Sequence, residues 1–149
     1  MYIISGCLLG ENCKYNGGNN RTDWIVEFAR AHPFISVCPE LAGGLEAPRP
    51  PVEIVEGRAI NQEGLDVTEA FLQGCKAVWA DSCQRARELN EEIEGAILKA
   101  KSPSCGCGII YDGSFSHREI PGDGFLTTFL KEKNIEVITE LEMDRRKNK

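Results

Sequence analysis

The stretch MYIISGCLLGENCKYNGGNNRTDWIVEFARAHPFISVC, residues 1–38, decides the fold. Tyr2 to Ile4 is a short apolar, partly β-branched run that stops at Ser5-Gly6, the pattern of a buried strand running into a turn. Gly10 to Asn20 is polar and glycine-rich, a loop by composition. Thr22 or Asp23 can then cap a helix in which Trp24, Ile25, Phe28 and Ala29 recur at three- and four-residue spacing, ending near His32-Pro33. Phe34 to Val37 is a second apolar run, closed by Cys38. Strand, loop, helix and strand in succession describe two parallel strands joined by a crossover.

The rest of the chain continues the alternation. Gly43 to Pro51 (GGLEAPRPP) holds too many glycines and prolines for a regular element and reads as an ordered loop. Val52 to Val55 and Arg58 to Ile60 flank Glu56-Gly57 as a hairpin. Asp66 and Glu69 form a capping box for a long helix with the stripe Val67, Ala70, Phe71, Cys75, Val78, Trp79, Ala86 and Leu89, running to about Asn90, in which Gly74 is a weakening residue. Ala96 to Leu98 is a third strand, followed by Lys99 and the string Lys101-Ser102-Pro103-Ser104-Cys105-Gly106-Cys107-Gly108. Ile109 to Tyr111 and Phe115 flank Asp112-Gly113, a type I′ hairpin signal. Phe125, Leu126, Phe129 and Leu130 mark a helix after Gly122-Asp123-Gly124, and Ile135 to Ile138 a fourth strand; residues 142–149 read as a frayed polar tail. The expected fold class is α/β: a single-domain, three-layer Rossmann-like fold over residues 1–149, with a mostly parallel central sheet of about four strands plus one or two β-hairpins.

Composition narrows the function. The 149 residues carry 17 Lys+Arg against 23 Asp+Glu, a formal net charge of -6, which gives no global positive field for a polyanion, so nucleic acid is an unlikely partner. Hydrophobic residues at 42% and charged residues at 27% suit a globular chain rather than a disordered one. No run approaches the roughly 18 apolar residues of a membrane span, and no signal peptide is recognisable, so a cytoplasmic, reducing location and no membrane partner are expected. The seven cysteines are the unusual count: an odd number cannot all pair internally, and in a reducing compartment clustered thiols point to metal ligation or reactivity.

Cys7, Cys38 and Cys105 each lie at or shortly after the C-terminal end of a different strand, where the loops of a parallel sheet converge on ligands. Three thiolates form a soft site suited to zinc, copper(I) or an iron–sulfur cluster, and three ligands leave one position open. No C-x-x-C pair occurs, which disfavours a thioredoxin dithiol, a zinc ribbon or a ferredoxin run. Cys75 and Cys83 fall on or beside the long helix's apolar stripe and read as core; Cys13 and Cys107 are spare thiols or substitute ligands. His32 and His117 read as a helix-end and a hairpin residue. Glu40, stiffened by Pro39, is a candidate general base or acid, with a solvated loop carboxylate as the plain alternative. Ser102 and Ser104 can hydrogen-bond a polar ligand or serve merely as turn residues. Gly17-Gly18 and Gly43-Gly44 offer backbone amides only weakly, and Arg49 and Lys99 either carry charge to the rim or are solvated.

The strings CLLGENCKYNGGNNR (7–21), VCPELAGGLEAPRPP (37–51) and LKAKSPSCG (98–106), with YDGSF (111–115) and the helix start at Gly122, resemble the thiouracil desulfidase (TudS)-like family, formerly a domain of unknown function. The resemblance implies a [4Fe-4S] cluster ligated by Cys7, Cys38 and Cys105, with the fourth iron open to the sulfur of a thiolated pyrimidine; such a cluster can be lost or replaced when protein is prepared in air. Glu40, Ser102 and Ser104 match the family's other polar positions, which implies proton transfer by Glu40, with Ser102 and Ser104 orienting the base. The implied reaction is a non-redox, hydrolytic C–S cleavage of a small thiolated base such as 2-thiouracil, releasing hydrosulfide. Two alternatives stay open: a related sulfur-handling reaction on another thiolated small molecule or nucleoside, and a non-catalytic metal-binding or redox-sensing module.

Overall fold

The computed structural model describes residues 1–142, so the tail reading lies, from residue 143 onward, outside the described residues. Four parallel strands make the central sheet: β1 (Tyr2–Ser5), β2 (Phe34–Val37), β5 (Gly95–Leu98) and β8 (Val137–Thr139), in the order β2-β1-β5-β8. Tyr2 pairs with Phe34 on one side and Gly95 on the other, and Ala96 pairs with Val137. Two antiparallel pairs lie outside it, β3 (Val52–Val55) with β4 (Arg58–Asn61), and β6 (Ile109–Tyr111) with β7 (Glu119–Pro121). The helices are α1 (Asp23–Ala31), a single turn α2 (Pro39–Ala42), α3 (Thr68–Leu89) and α4 (Phe125–Glu132).

Side-chain alternation explains the three layers. Ile3, Val37, Ala96, Leu98 and Val137 point to the face covered by α3 and α4, packing with Cys75, Val78, Leu126 and Leu130. Their neighbours Ile4 and Ile97 point the other way, onto Ile25 and Ala29 of α1. Period two in the strands thus divides one apolar run between two cores, which is why β5 is buried at every position. Each fully buried Ile or Leu contributes roughly 1.5–3 kcal/mol of transfer free energy. α1 ends where His32 stacks on Phe28 at 4.0 Å and its Nδ1 donates to Phe28 O at 2.8 Å, a structural role as expected.

The structure corrects four expectations. Phe115 is not the partner strand of Ile109–Tyr111: that partner is Glu119–Pro121, and residues 112–118 form a wide loop in which Phe115 has φ 58°. The α2 turn was unexpected, because Pro39 at its first position looks like a breaker while fixing φ for a helix start. Cys83 is half-buried and outside the apolar clusters, one position past the turn of α3 that buries Ser82. Asp66 Oδ1 does accept the Thr68 N–H at 2.9 Å as α3 begins, although the N-cap residue is Val67 and Glu69 bonds Gln73 instead of closing a capping box.

Candidate active site

The chain runs from β1 to β2 on one side, then crosses to β5 on the other, so the sheet's switch point lies between β1 and β5. Loops at the C-terminal ends of strands diverge there and leave a crevice. Cys7 follows β1 in a 3-10 turn (Gly6–Leu9) closed by Gly10 at φ 97°, a left-handed conformation that favours glycine. The Asn20 amide donates to Cys7 O at 2.9 Å and folds the polar loop back over this strand end. Cys38 directly follows β2 and leads into α2, whose first turn carries Glu40. Cys105 follows β5 through Ser102-Pro103-Ser104, where Ser102 Oγ accepts the amides of Ser104 at 3.1 Å and Cys105 at 3.0 Å.

All three thiols line one cavity of about 320 Å³, together with Cys13, Glu40, Ser102 and Ser104. That volume is at the small end of the about 300–1,000 Å³ typical of small-molecule sites. Cys107 is elsewhere: its thiol donates to Val137 O at 3.6 Å, and it does not line the cavity. Cys75 is core, 1% exposed, and burial pushes its thiol up to about 12. Neither glycine pair reaches the cavity, Gly43 instead lying hard against α3, where a Cβ would come 2.0 Å from Ala70 O.

The thiols are electrostatically unequal. Hydrogen bonding with the Cys13 thiol, whose single proton serves one neighbour at a time, holds both Cys7 and Cys38 below the ordinary thiol range, Cys38 down to about 7, with burial opposing. The Asn20 side chain and the Lys99 ammonium add to the effect at Cys7, and the Leu41 amide does so at Cys38. Cys13 rises for the reciprocal reason. Cys105 is wholly buried, and desolvation pushes it up against the hydrogen bond from Ser5. Ser5 Oγ donates to Cys105 Sγ at 3.4 Å while accepting the Lys99 amide at 3.0 Å.

A polar chain runs beside the thiols. Ser104 Oγ donates to Glu40 Oε2 at 2.8 Å, and since that uses its single proton, Ser102 donates to Ser104 across 3.0 Å. Glu40 Oε1 accepts from Arg49 Nε at 3.1 Å, in a pair whose side chains are 12% and 8% exposed. Arg49 also donates to Leu45 O at 3.1 Å and Cys13 O at 2.8 Å, so it is a buried clamp between two loops rather than a solvated rim charge. Lys99 lines the cavity, with its ammonium 3.2 Å from Glu140 Oε2. Sequence reasoning missed Ser5, Glu53 and Tyr111, all lining the cavity, and placed His117 only in a hairpin although it lines the cavity too. For Glu53 a signal existed: a carboxylate inside an otherwise apolar strand, VEIV.

Fold and site together define an open parallel α/β protein with a thiol-lined pocket at its switch point. Residues 2–142 match the family described as 2-thiouracil desulfurase, and the chain belongs to that family. The uncharacterized protein YbbK of Bacillus subtilis (strain 168) is 36% identical over 154 aligned positions, spanning 97% of this chain and 98% of that protein. The solved structure of a [4Fe-4S]-dependent thiouracil desulfidase, TudS, is similar with a TM-score of 0.84 and 34% identity, over 97% of this chain and 93% of that one. Among the described residues no helix is long and apolar enough to cross a membrane.

Proposed function

We propose that this chain replaces the exocyclic sulfur of a thiolated pyrimidine of the 2-thiouracil kind by oxygen from water, at a [4Fe-4S] cluster held by Cys7, Cys38 and Cys105. The observation that carries this reading is the meeting of the Cys7, Cys38 and Cys105 thiols from three separate loops, beside that of Cys13, on one cavity that also holds the Glu40 carboxylate and the Ser102 and Ser104 hydroxyls. Family membership and the likeness to a [4Fe-4S]-dependent thiouracil desulfidase support it. Among the described residues no three Cys, His, Asp or Glu side chains close on a single-ion position. The donor set fits the cluster in kind, three sulfur ligands with a fourth position left for a ligand. Bound there, the cluster supplies a soft Lewis acid for the substrate's sulfur. Seven free cysteines suit a reducing, cytoplasmic setting.

The reaction balances without electron transfer: thiocarbonyl plus water gives carbonyl, hydrosulfide and a proton. Glu40 takes the proton of the attacking water. Its Oε2 ends the Ser102–Ser104–Glu40 hydroxyl chain, whose donors point toward the carboxylate and orient it for that transfer; the proton gained is released to solvent after hydrosulfide leaves. Arg49 keeps the carboxylate fixed and charge-compensated in a site where an unpaired charge would be costly. Ser102 is itself held by two amides, which fixes its rotamer for contact with the base.

Glu40→Gln keeps the shape and the bond from Arg49 but removes the base. Anaerobically reconstituted variant is expected to hold wild-type iron and release hydrosulfide about 10²–10⁴-fold more slowly. Full activity with full iron would remove Glu40 from the mechanism.

A further inference from the structure

Glu53 sits on β3, only 8% exposed, and lines the same cavity as the three thiols. Its Oε1 accepts two amides of the 112–118 loop, Gly113 at 2.9 Å and Phe115 at 3.1 Å. Its Oε2 has no donor among the described residues, Glu53 has no ion pair among them, and this oxygen keeps some access on a side chain that lines the cavity. A carboxylate oxygen so placed is costly until a donor arrives. The anchored loop is strained: Phe115 and His117 have φ 58° and 61°, left-handed values that side chains with a Cβ seldom adopt. The loop also presses on β3, since a Cβ on Gly113 would lie 2.7 Å from Val55 Cγ2. Tyr111 and His117 meet edge to face at 5.5 Å on the cavity wall, an aromatic surface for a flat ring. A carboxylate acceptor beside an aromatic wall suits the edge of a heterocycle that presents an N–H.

We infer that Glu53 selects the substrate, Oε1 holding the loop that carries the aromatic wall while Oε2 accepts a ring N–H of the bound base. The pocket therefore takes rings with a protonated nitrogen and rejects those presenting a bare lone pair at that edge. This inference rests on the thiolated-pyrimidine reading for its substrate class and not on the cluster.

Glu53→Gln is the discriminating change, because the amide oxygen can still hold the loop while the NH₂ turns the second acceptor into a donor. In cluster-loaded protein, kcat/KM for 2-thiouracil is expected to fall between about tenfold and a hundredfold, mostly through KM, while 2-thiocytosine gains relative to it. Equal loss on both substrates, or no loss, would overturn the inference and leave Glu53 as a loop anchor. Binding of the sulfur-free bases by equilibrium dialysis reads the same preference without chemistry: uracil over cytosine in the wild type, reversed in the variant. Should the variant fail to fold, the wild type still decides. Methylation of 2-thiouracil at one of its two ring nitrogens must cost at least tenfold, and equal turnover of both methyl derivatives and the parent refutes the claim. If no thiolated base is desulfurated yet uracil binding tracks Glu53, the proposed function fails and this inference stands; hydrosulfide release with an unchanged preference gives the opposite result.

Discussion

Gly74→Ala sets local propensity against packing. Gly74 lies inside α3, where replacing glycine by alanine ordinarily stabilises a helix by about 1 kcal/mol. Here an added Cβ would lie 1.9 Å from Pro39 O and 2.8 Å from Pro39 C, both backbone atoms of α2. Even a 3.0 Å approach, tighter than nine in ten real Cβ contacts, requires the α2 backbone to retreat by about 1.1 Å. Overpacking of this kind costs about 1–3 kcal/mol, so the helix gain is cancelled or reversed and the variant is less stable by up to about 2 kcal/mol. Pro39 lies between Cys38 and Glu40, so the same displacement moves a proposed ligand and the proposed base. Urea unfolding of the apo-protein is expected to give a lower midpoint at unchanged slope, and the reconstituted variant to release hydrosulfide about 10²-fold more slowly. A variant that is about 1 kcal/mol more stable, with wild-type activity, would refute the packing argument.

Two further outcomes follow from charge. Arg49→Met leaves Glu40 without its partner in a pair whose side chains are 8% and 12% exposed, and is expected to cost about 3–5 kcal/mol in urea unfolding; a change within about 0.5 kcal/mol would contradict the clamp role. Asp66 is held at about 2, below its ordinary 3.8, first by the Arg58 hydrogen bond and then by those of Thr68. A lowered folded value means its stabilisation is complete above about 3.8 and is lost as pH falls through about 2. The melting-temperature gap between wild type and Asp66→Asn should therefore close on acidification from pH 4 to 2, and a widening gap would reverse the assigned sign.

The parts of the site carried by local pattern were legible. The run Tyr2–Ile4 ends beside Cys7 and Phe34–Val37 ends at Cys38, and once the helix between them is seen, a parallel sheet must bring both to one edge. Cys105 joins them by the same logic, although six residues separate it from β5. What escaped depends on contacts made across the chain. Arg49 sits in GGLEAPRPP, which looks solvated, and only the approach of Cys13 O and Glu40 buries it. Asp112-Gly113 signals a tight turn, but Glu53 pulls the Gly113 and Phe115 amides toward β3 and opens a wide loop instead. Gly74 read as a blemish in a helix because nothing in the sequence places Pro39 O against it.

The central claim is that Cys7, Cys38 and Cys105 hold the iron while the other cysteines do not, and iron content after anaerobic reconstitution tests it most directly. Single alanine variants at these three positions are expected to lose the four-iron complement and hydrosulfide release together, while Cys75→Ala and Cys107→Ala keep both. Full iron in any of the first three, or its loss in Cys107→Ala with the fold intact, would contradict the account.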